Sequence, residues 1–304
     1  MTWPLIDAHC HLHDEYLRSF ISSSSSQRFE DVLSRARSVH LSHLVSCATH
    51  EEDWRVLEQH MEQQKHDRLL TIVPAFGVHP WWAQELAFVR SDGLKTLHDI
   101  LVRYPRASVG EIGLCKSKRG RQVPLDIQVE TFRAQLDLAA DLERTCVLHC
   151  VGYLRKIVEY FAGCRTVASS SCTALVQWVT RYDAVFPGAT RHASFFSLNA
   201  KQLTDPRMKK AAACCKKLPL ESLLLETDAP DQTPSVELVE ELFDQADKVP
   251  LALREGSAGV NEPAMVKLAL YGAAKIRGVA IDEVAAVVYQ NCKEAFGLDG
   301  IIAD

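Results

Sequence analysis

His9 and His11 stand one residue apart at the end of the first apolar run, Leu5-Ile6-Asp7-Ala8-His9-Cys10-His11-Leu12. Alternate side chains of a strand share a face, so both imidazoles point one way and Cys10 points the other, as a buried small hydrophobe. Two imidazoles on one face at a strand end are half of a metal site. Alone, the pair equally fits a core or surface pair. Other apolar runs end in similar groups: His79 in Gly77-Val78-His79-Pro80, Glu111 in Val109-Gly110-Glu111-Ile112-Gly113, His149 in Val147-Leu148-His149, and Asp228 in Leu225-Glu226-Thr227-Asp228. Any one of these fits a capped strand end, but together they are all of metal-ligand type. Mixed imidazole and carboxylate donors suit Zn²⁺, Mn²⁺ or a similar divalent ion. A carboxylate can bridge two ions, and such a pair clamps the attacking and leaving oxygens of a displacement. The chemistry indicated is metal-assisted hydrolysis of an ester, phosphodiester or amide.

These residues converge only if their strands run parallel. Apolar runs at 4–8, 43–48, 70–77, 107–113, 145–149, 174–178, 193–198 and 223–228 predict strands. Amphipathic stretches near 28–40, 51–66, 92–103, 125–143, 152–162, 204–217, 262–277 and 281–296 predict helices. The alternation indicates α/β architecture with a parallel sheet. Closing the units gives a (β/α)8 TIM barrel with its site at the C-terminal ends of the strands. The alternative is an open doubly wound sheet, disfavoured because no Gly-rich phosphate fingerprint follows the first strand. Residues 1–304 read as one domain. Ser22 to Ser26 reads as a flexible loop, and 230–260 as a long loop with one short helix that could roof the site. Asn261-Glu262-Pro263 reads as a helix start with Asn261 as N-cap.

The 304 residues are 47% hydrophobic, enough for a sizeable core, and carry a net charge of -5. No global basic field advertises nucleic acid, so a polyanion must be drawn by a local patch or by metal. The 10 cysteines form no CxxC framework, which indicates free thiols in a reducing compartment: the cytoplasm, with the nucleus as alternative. Met1-Thr2-Trp3-Pro4 leads into a core strand without a leader pattern, and no apolar run approaches the roughly 18 residues of a membrane span. A monomer or weak oligomer is expected.

The motif blocks, in order, resemble the TatD-type metal-dependent hydrolases, or TatD-related deoxyribonucleases, of the amidohydrolase superfamily. They run from Asp7-Ala8-His9-Cys10-His11-Leu12 through Gly77-Val78-His79-Pro80, Gly110-Glu111-Ile112-Gly113-Leu114 and Leu225-Glu226-Thr227-Asp228-Ala229-Pro230 to Asn261-Glu262-Pro263. Tyr289 to Leu298 resembles the family's closing helix. The resemblance implies a (β/α)8 barrel holding two divalent ions (Zn, Mg or Mn). His9, His11 and Asp228 would hold the first, Glu111 would bridge, and His149 would hold the second with a histidine from strand six. The implied activity is hydrolysis of DNA, including trimming from 3′ ends. Asp228 and Glu111 would be the catalytic carboxylates, with Asp228 orienting the attacking water or accepting its proton.

The chain departs from the family pattern in several places. Gln177 falls where the strand-six histidine is expected, and an amide oxygen is a poorer Zn²⁺ ligand than imidazole. His192 precedes strand seven and lies at the wrong end to replace it. Cys115 stands where the family has Asp; a buried inert thiol is expected over a thiolate ligand. Val151 replaces an arginine, and His13 reads as a loop histidine rather than a ligand. One well-held ion and a weakened second site are therefore expected, or a scaffold that kept the barrel and partly lost the site. Lys116, Lys118, Arg119 and Arg121 follow strand four and form either a phosphate-attracting patch or a solvated turn. Trp81 and Trp82 either stack bases or pack their loop. His79 either meets a phosphate oxygen or leaving group, or is a hydrogen-bonded loop residue. DNA is the expected substrate, with small esters or amides as the alternative.

Overall fold

The computed structural model describes residues 3–14, 25–84, 92–163, 174–177, 194–234 and 261–298. Eight strands form one sheet in chain order: β1 (Leu5–Cys10), β2 (Leu41–Cys47), β3 (Thr71–Phe76), β4 (Ser108–Cys115), β5 (Cys146–Val151), β6 (Ala174–Gln177), β7 (Ser194–Asn199) and β8 (Leu223–Glu226). Every neighbouring pair is parallel. The two ends of this order also touch. Cys10 makes a parallel bridge with Ala229, and the Asp228 N–H donates to His9 O at 2.9 Å. β1, β4 and β8 are buried along their whole length, as strands covered on both faces must be.

Between the strands run α1 (Ser25–Ser38), α2 (Glu51–Gln64), α3 (Gly93–Arg103), α4 (Leu125–Asp141), α5 (Leu154–Gly163), α6 (Ala200–Thr204) and α7 (Lys209–Lys217). After β8 come α8 (Val266–Arg277) and α9 (Ile281–Phe296). α4 shows how helices set the strand exits. Its buried stripe includes Thr131, Phe132, Gln135, Leu136 and Ala139, at helical spacing. Two glutamines on it turn inward. Gln135 accepts from the Val78 N–H at 2.7 Å and donates back to Val78 O at 3.1 Å. Gln128 accepts from the Cys115 N–H at 2.9 Å. These bonds fix the chain on either side of the β3 and β4 exits. Among the described residues no helix is long and apolar enough to cross a membrane.

Several expectations need correction. β1 extends to Cys10, so His9 lies within the strand and only His11 lies beyond it. Ser25 and Ser26 open α1 rather than belonging to a loop. The helix expected over 204–217 is two helices, because Pro206 lacks an N–H and forces a break. α6 instead starts earlier, at a capping box in which Asn199 accepts from the Gln202 N–H. Asn261 is not an N-cap: Glu262 precedes the 3₁₀ turn Pro263–Met265, and Asn261 bonds elsewhere. Residues 235–260, the expected roof, lie outside the described residues, as do His192 and the Gln177 side chain.

Candidate metal centre

The exits of β1, β3, β4, β5 and β8 share one cavity of about 290 Å³, lined by His11, His79, Trp81, Glu111, Cys115, His149 and Asp228 among others. His9 and His11 do share a face: their Nε2 atoms lie 3.1 Å apart. Cys10 points away, fully buried, with its thiol 3.4 Å from Val45 O. His11 Nδ1 lies 2.7 Å from Cys47 O, and His9 Nδ1 lies 3.3 Å from Cys47 Sγ. A carbonyl only accepts, so His11 Nδ1 carries a hydrogen and the neutral ring presents its Nε2 lone pair to the cavity. Carboxylates close the group. Glu111 Oε2 is 3.6 Å from His9 Nε2 and 3.7 Å from His11 Nε2; Asp228 Oδ1 is 3.7 and 3.5 Å from the same atoms.

At this distance one of the two Nε2 atoms carries a hydrogen towards the other, or a cation takes that hydrogen's place. Burial pushes both rings down, but at His11 the Asp228 and Glu111 carboxylates outweigh it and raise the ring to about 9. Burial dominates at His9, which falls to about 3. The pair thus holds a proton on His11 where a cation would sit. The donor set of His9, His11, Glu111 and Asp228 fits a divalent ion.

A second group surrounds the other Glu111 oxygen. His149 Nδ1 is 2.8 Å and His79 Nε2 4.0 Å from Glu111 Oε1, and one donor atom of each residue lies within 4.8 Å of the others. Here the tautomers separate the two rings. The Trp81 N–H donates to His79 Nδ1 at 3.2 Å, so neutral His79 carries its hydrogen on Nε2 and donates into the cavity. Burial, reinforced by His149, keeps His79 neutral, well below the usual range. His149 Nε2 is buried without a hydrogen-bond partner. Burial alone would raise Glu111, but His79, His9 and His149 hold it well below the usual carboxylate range. Glu111 is the group common to both clusters.

Supporting residues lie behind. Asp7, two positions before His9 on the same strand face, accepts from the Thr227 N–H at 2.9 Å, the Thr227 hydroxyl at 2.6 Å and the His9 N–H at 3.3 Å. Burial pushes Asp7 up to about 7. Asn261 donates to Thr227 O at 2.6 Å and to Asp231 O, tying the approach to α8 to the end of β8. Alternation from His9 and His11 could have exposed Asp7; nothing local marks Cys47.

The site gathers His9, His11, His79, Glu111, His149 and Asp228, all expected from the sequence. Lys116 and Lys118 are exposed and do not line the cavity; Lys116 Nζ lies 5.9 Å from the Tyr153 ring centre. His13 lies in the turn after β1 and outside both clusters, as expected; it is buried, with Nε2 3.1 Å from Asp53, which also accepts from Thr49 and lies 2.8 Å from His50 Nδ1. Cys115 is buried, as expected, and hydrogen-bonded. Its Sγ accepts from Trp81 Nε1 at 3.2 Å and lies 3.0 Å from Ser117 Oγ. Burial pushes the thiol up, but the neighbouring His149 and Ser117 outweigh it and bring it to about 7.

The family model described as "TatD related DNase" matches residues 6–297. A human protein named "Deoxyribonuclease TATDN3" is 24% identical over 299 residues, covering 96% of this chain and 94% of that protein. The "3'-5' ssDNA/RNA exonuclease TatD" of Erwinia amylovora is 28% identical over 235 residues, 73% of this chain and 77% of that one. The crystal structure of a TatD family hydrolase from Entamoeba histolytica superposes with a TM-score of 0.78 at 18% identity, covering 97% of this chain and 98% of that one.

Proposed function

The chain belongs to the TatD-related DNase family, and on that premise we propose a metal-dependent deoxyribonuclease that cleaves phosphodiester bonds with activated water. The fold read with it is one closed (β/α)8 barrel over 1–304, supported by the Cys10–Ala229 bridge. The observation that carries the function is the facing His9 and His11 Nε2 pair, 3.1 Å apart beside two carboxylates. His9, His11 and Asp228 would hold a first divalent ion, Glu111 would serve both ions, and His149 would serve a weaker second. Such ions supply Lewis acidity and water of lowered pKa when bound. Asp228 accepts the proton of the attacking water, and Glu111 keeps the two groups in register. The His79 Nε2–H donates to a non-bridging phosphate oxygen, and Lys116 and Lys118 attract the backbone. Zn²⁺, Mg²⁺ or Mn²⁺ is the ion, DNA the substrate and the cytoplasm the compartment in this reading.

The test is cleavage of end-labelled single- and double-stranded DNA by metal-supplemented protein, with Asp228→Asn as control. Metal-dependent cleavage lost in the variant is expected. No cleavage, or equal cleavage by Asp228→Asn, removes the nuclease reading. Hydrolysis of acylated amines in its place assigns the same site to small substrates.

A further inference from the structure

We propose that Arg119 binds a substrate phosphate flanking the scissile one, with Trp81 and Trp82 holding its guanidinium at the rim of the cavity. This rests on the nuclease reading above and names a contact that reading does not contain. Among the cations following β4, Arg119 is the one stacked on the tryptophans of the His79 loop. Its guanidinium carbon lies 4.3 Å from the Trp81 ring centre and 5.1 Å from that of Trp82. Trp81 in turn meets His79 edge-on at 4.5 Å and His149 at 6.0 Å, so one ring separates Arg119 from the metal-type residues. Trp82 is fixed by His50, stacked at 4.4 Å with 11° between planes, and His50 is bonded to Asp53.

Among the described residues the guanidinium fork is uncommitted. Arg35 is locked on Glu262, Arg37 on Glu30 and Asp67, Arg103 on Glu58, and Arg207 on Asp205. Among the described residues no carboxylate or carbonyl accepts from the Arg119 side chain, which is exposed. An arginine in solution spends rotamer entropy when it binds; stacking has already removed much of that freedom while leaving the N–H donors open. A planar fork of this kind matches a phosphodiester better than a point charge does. The adjoining cavity is rich in carboxylate, with Glu111, Asp228 and Asp231 on its walls. A cation at its edge therefore meets the part of an anionic substrate that reaches beyond the ions.

The test reads binding without turnover. A fluorescein-labelled hexathymidylate is titrated by anisotropy against Ca²⁺-loaded protein, with the uncharged methylphosphonate hexamer as second probe. Arg119→Gln is expected to raise Kd for the diester about 5- to 10-fold and to lower the slope of log Kd against log salt by about 0.7, the loss of one phosphate contact on a single strand. Arg119→Lys, which keeps charge but not the fork, should fall between. Binding of the methylphosphonate should not respond, and metal content should be equal in all variants. Unchanged diester affinity and slope in Arg119→Gln overturn the proposal, as does equal loss on both probes or absence of diester binding by wild type. Wild type that binds but does not cleave overturns the nuclease reading alone.

Discussion

His9 Nε2 faces His11 Nε2 across 3.1 Å, and one residue, Cys47, turns both rings: its carbonyl takes His11 Nδ1 and its thiol meets His9 Nδ1. Outer partners of this kind fix ring orientation and basicity, and their loss typically weakens metal affinity 10- to 100-fold. Cys47→Ala removes only the thiol contact, so the fall should lie near the lower end, about 10-fold, with Cys47→Ser falling less. Competition against a chromogenic chelator measures it. Unchanged affinity in Cys47→Ala would show that the carbonyl alone sets the pair.

The two clusters share Glu111 but are unequally furnished. His9 and His11 belong to the first and have Asp228 within 3.7 Å, whereas His79 presents an N–H to the second, leaving His149 beside Glu111. Mass spectrometry should therefore count one tightly held ion per wild-type chain. Gln177→His should add a second, and Glu111→Gln should weaken both by about 100-fold. Two tightly held ions in wild type would refute the inequality.

Most strands were legible because burial on both faces writes them as unbroken apolar runs, and each polar exit then stands out against its run. Where the sequence misled, tertiary partners had overridden local pattern. Asn261 sits where an N-cap would, yet its amide spans to Thr227 O. Glu262 looks like a first-turn acid, yet it receives the Arg35 fork at 2.8 Å. Arg119 reads as one of several loop cations, and only the fold brings it over Trp81. Cys47 carries no signal at all, because its role is played partly by a backbone carbonyl.

Asp7 joins β1 to the segment after β8 through three accepted hydrogen bonds within the buried interior. Asp7→Ala leaves buried donors without acceptors, each costing about 1–3 kcal/mol. We expect a loss of about 3 kcal/mol in urea unfolding for Ala and about 1 kcal/mol for Asn, which retains one acceptor oxygen. Equal losses would mean that side-chain volume, not hydrogen bonding, is what Asp7 contributes.

Gly113 pairs with His149 across β4 and β5 at φ 149°, and a Cβ there would stand 2.0 Å from His149 O. Neither the backbone nor the neighbour can yield without moving a site residue. Gly113→Ala should therefore cost more than about 3 kcal/mol, among the large losses tied to special backbone positions. Gly278, at φ 69° with no atom within 4 Å of where a Cβ would stand, gives the comparison. There Ala meets only backbone strain, and about 1 kcal/mol is expected. Similar stability of the two variants in urea would remove the steric argument for Gly113.

Burial raises the Cys215 thiol to about 11, Cys150 to about 12, and Cys292 well above the usual range. An unfolded thiol titrates near 8.5. The folded state holds these protons more tightly, so their contribution is fully present below about pH 8.5 and is lost as pH climbs through the folded values. The thiol contribution should be flat from pH 7 to 8.5 and fall steadily towards pH 11. Lysines and tyrosines titrate in the same window, so the informative quantity is the difference between wild type and Cys215→Ala. That difference should shrink as pH rises from 8 to 11, because alanine has no proton to lose. Native-state alkylation followed by mass spectrometry should agree, with Cys215 unmodified at pH 8 and modified near pH 11. A stability difference that stays constant across the window would show that the Cys215 proton carries no part of the alkaline response.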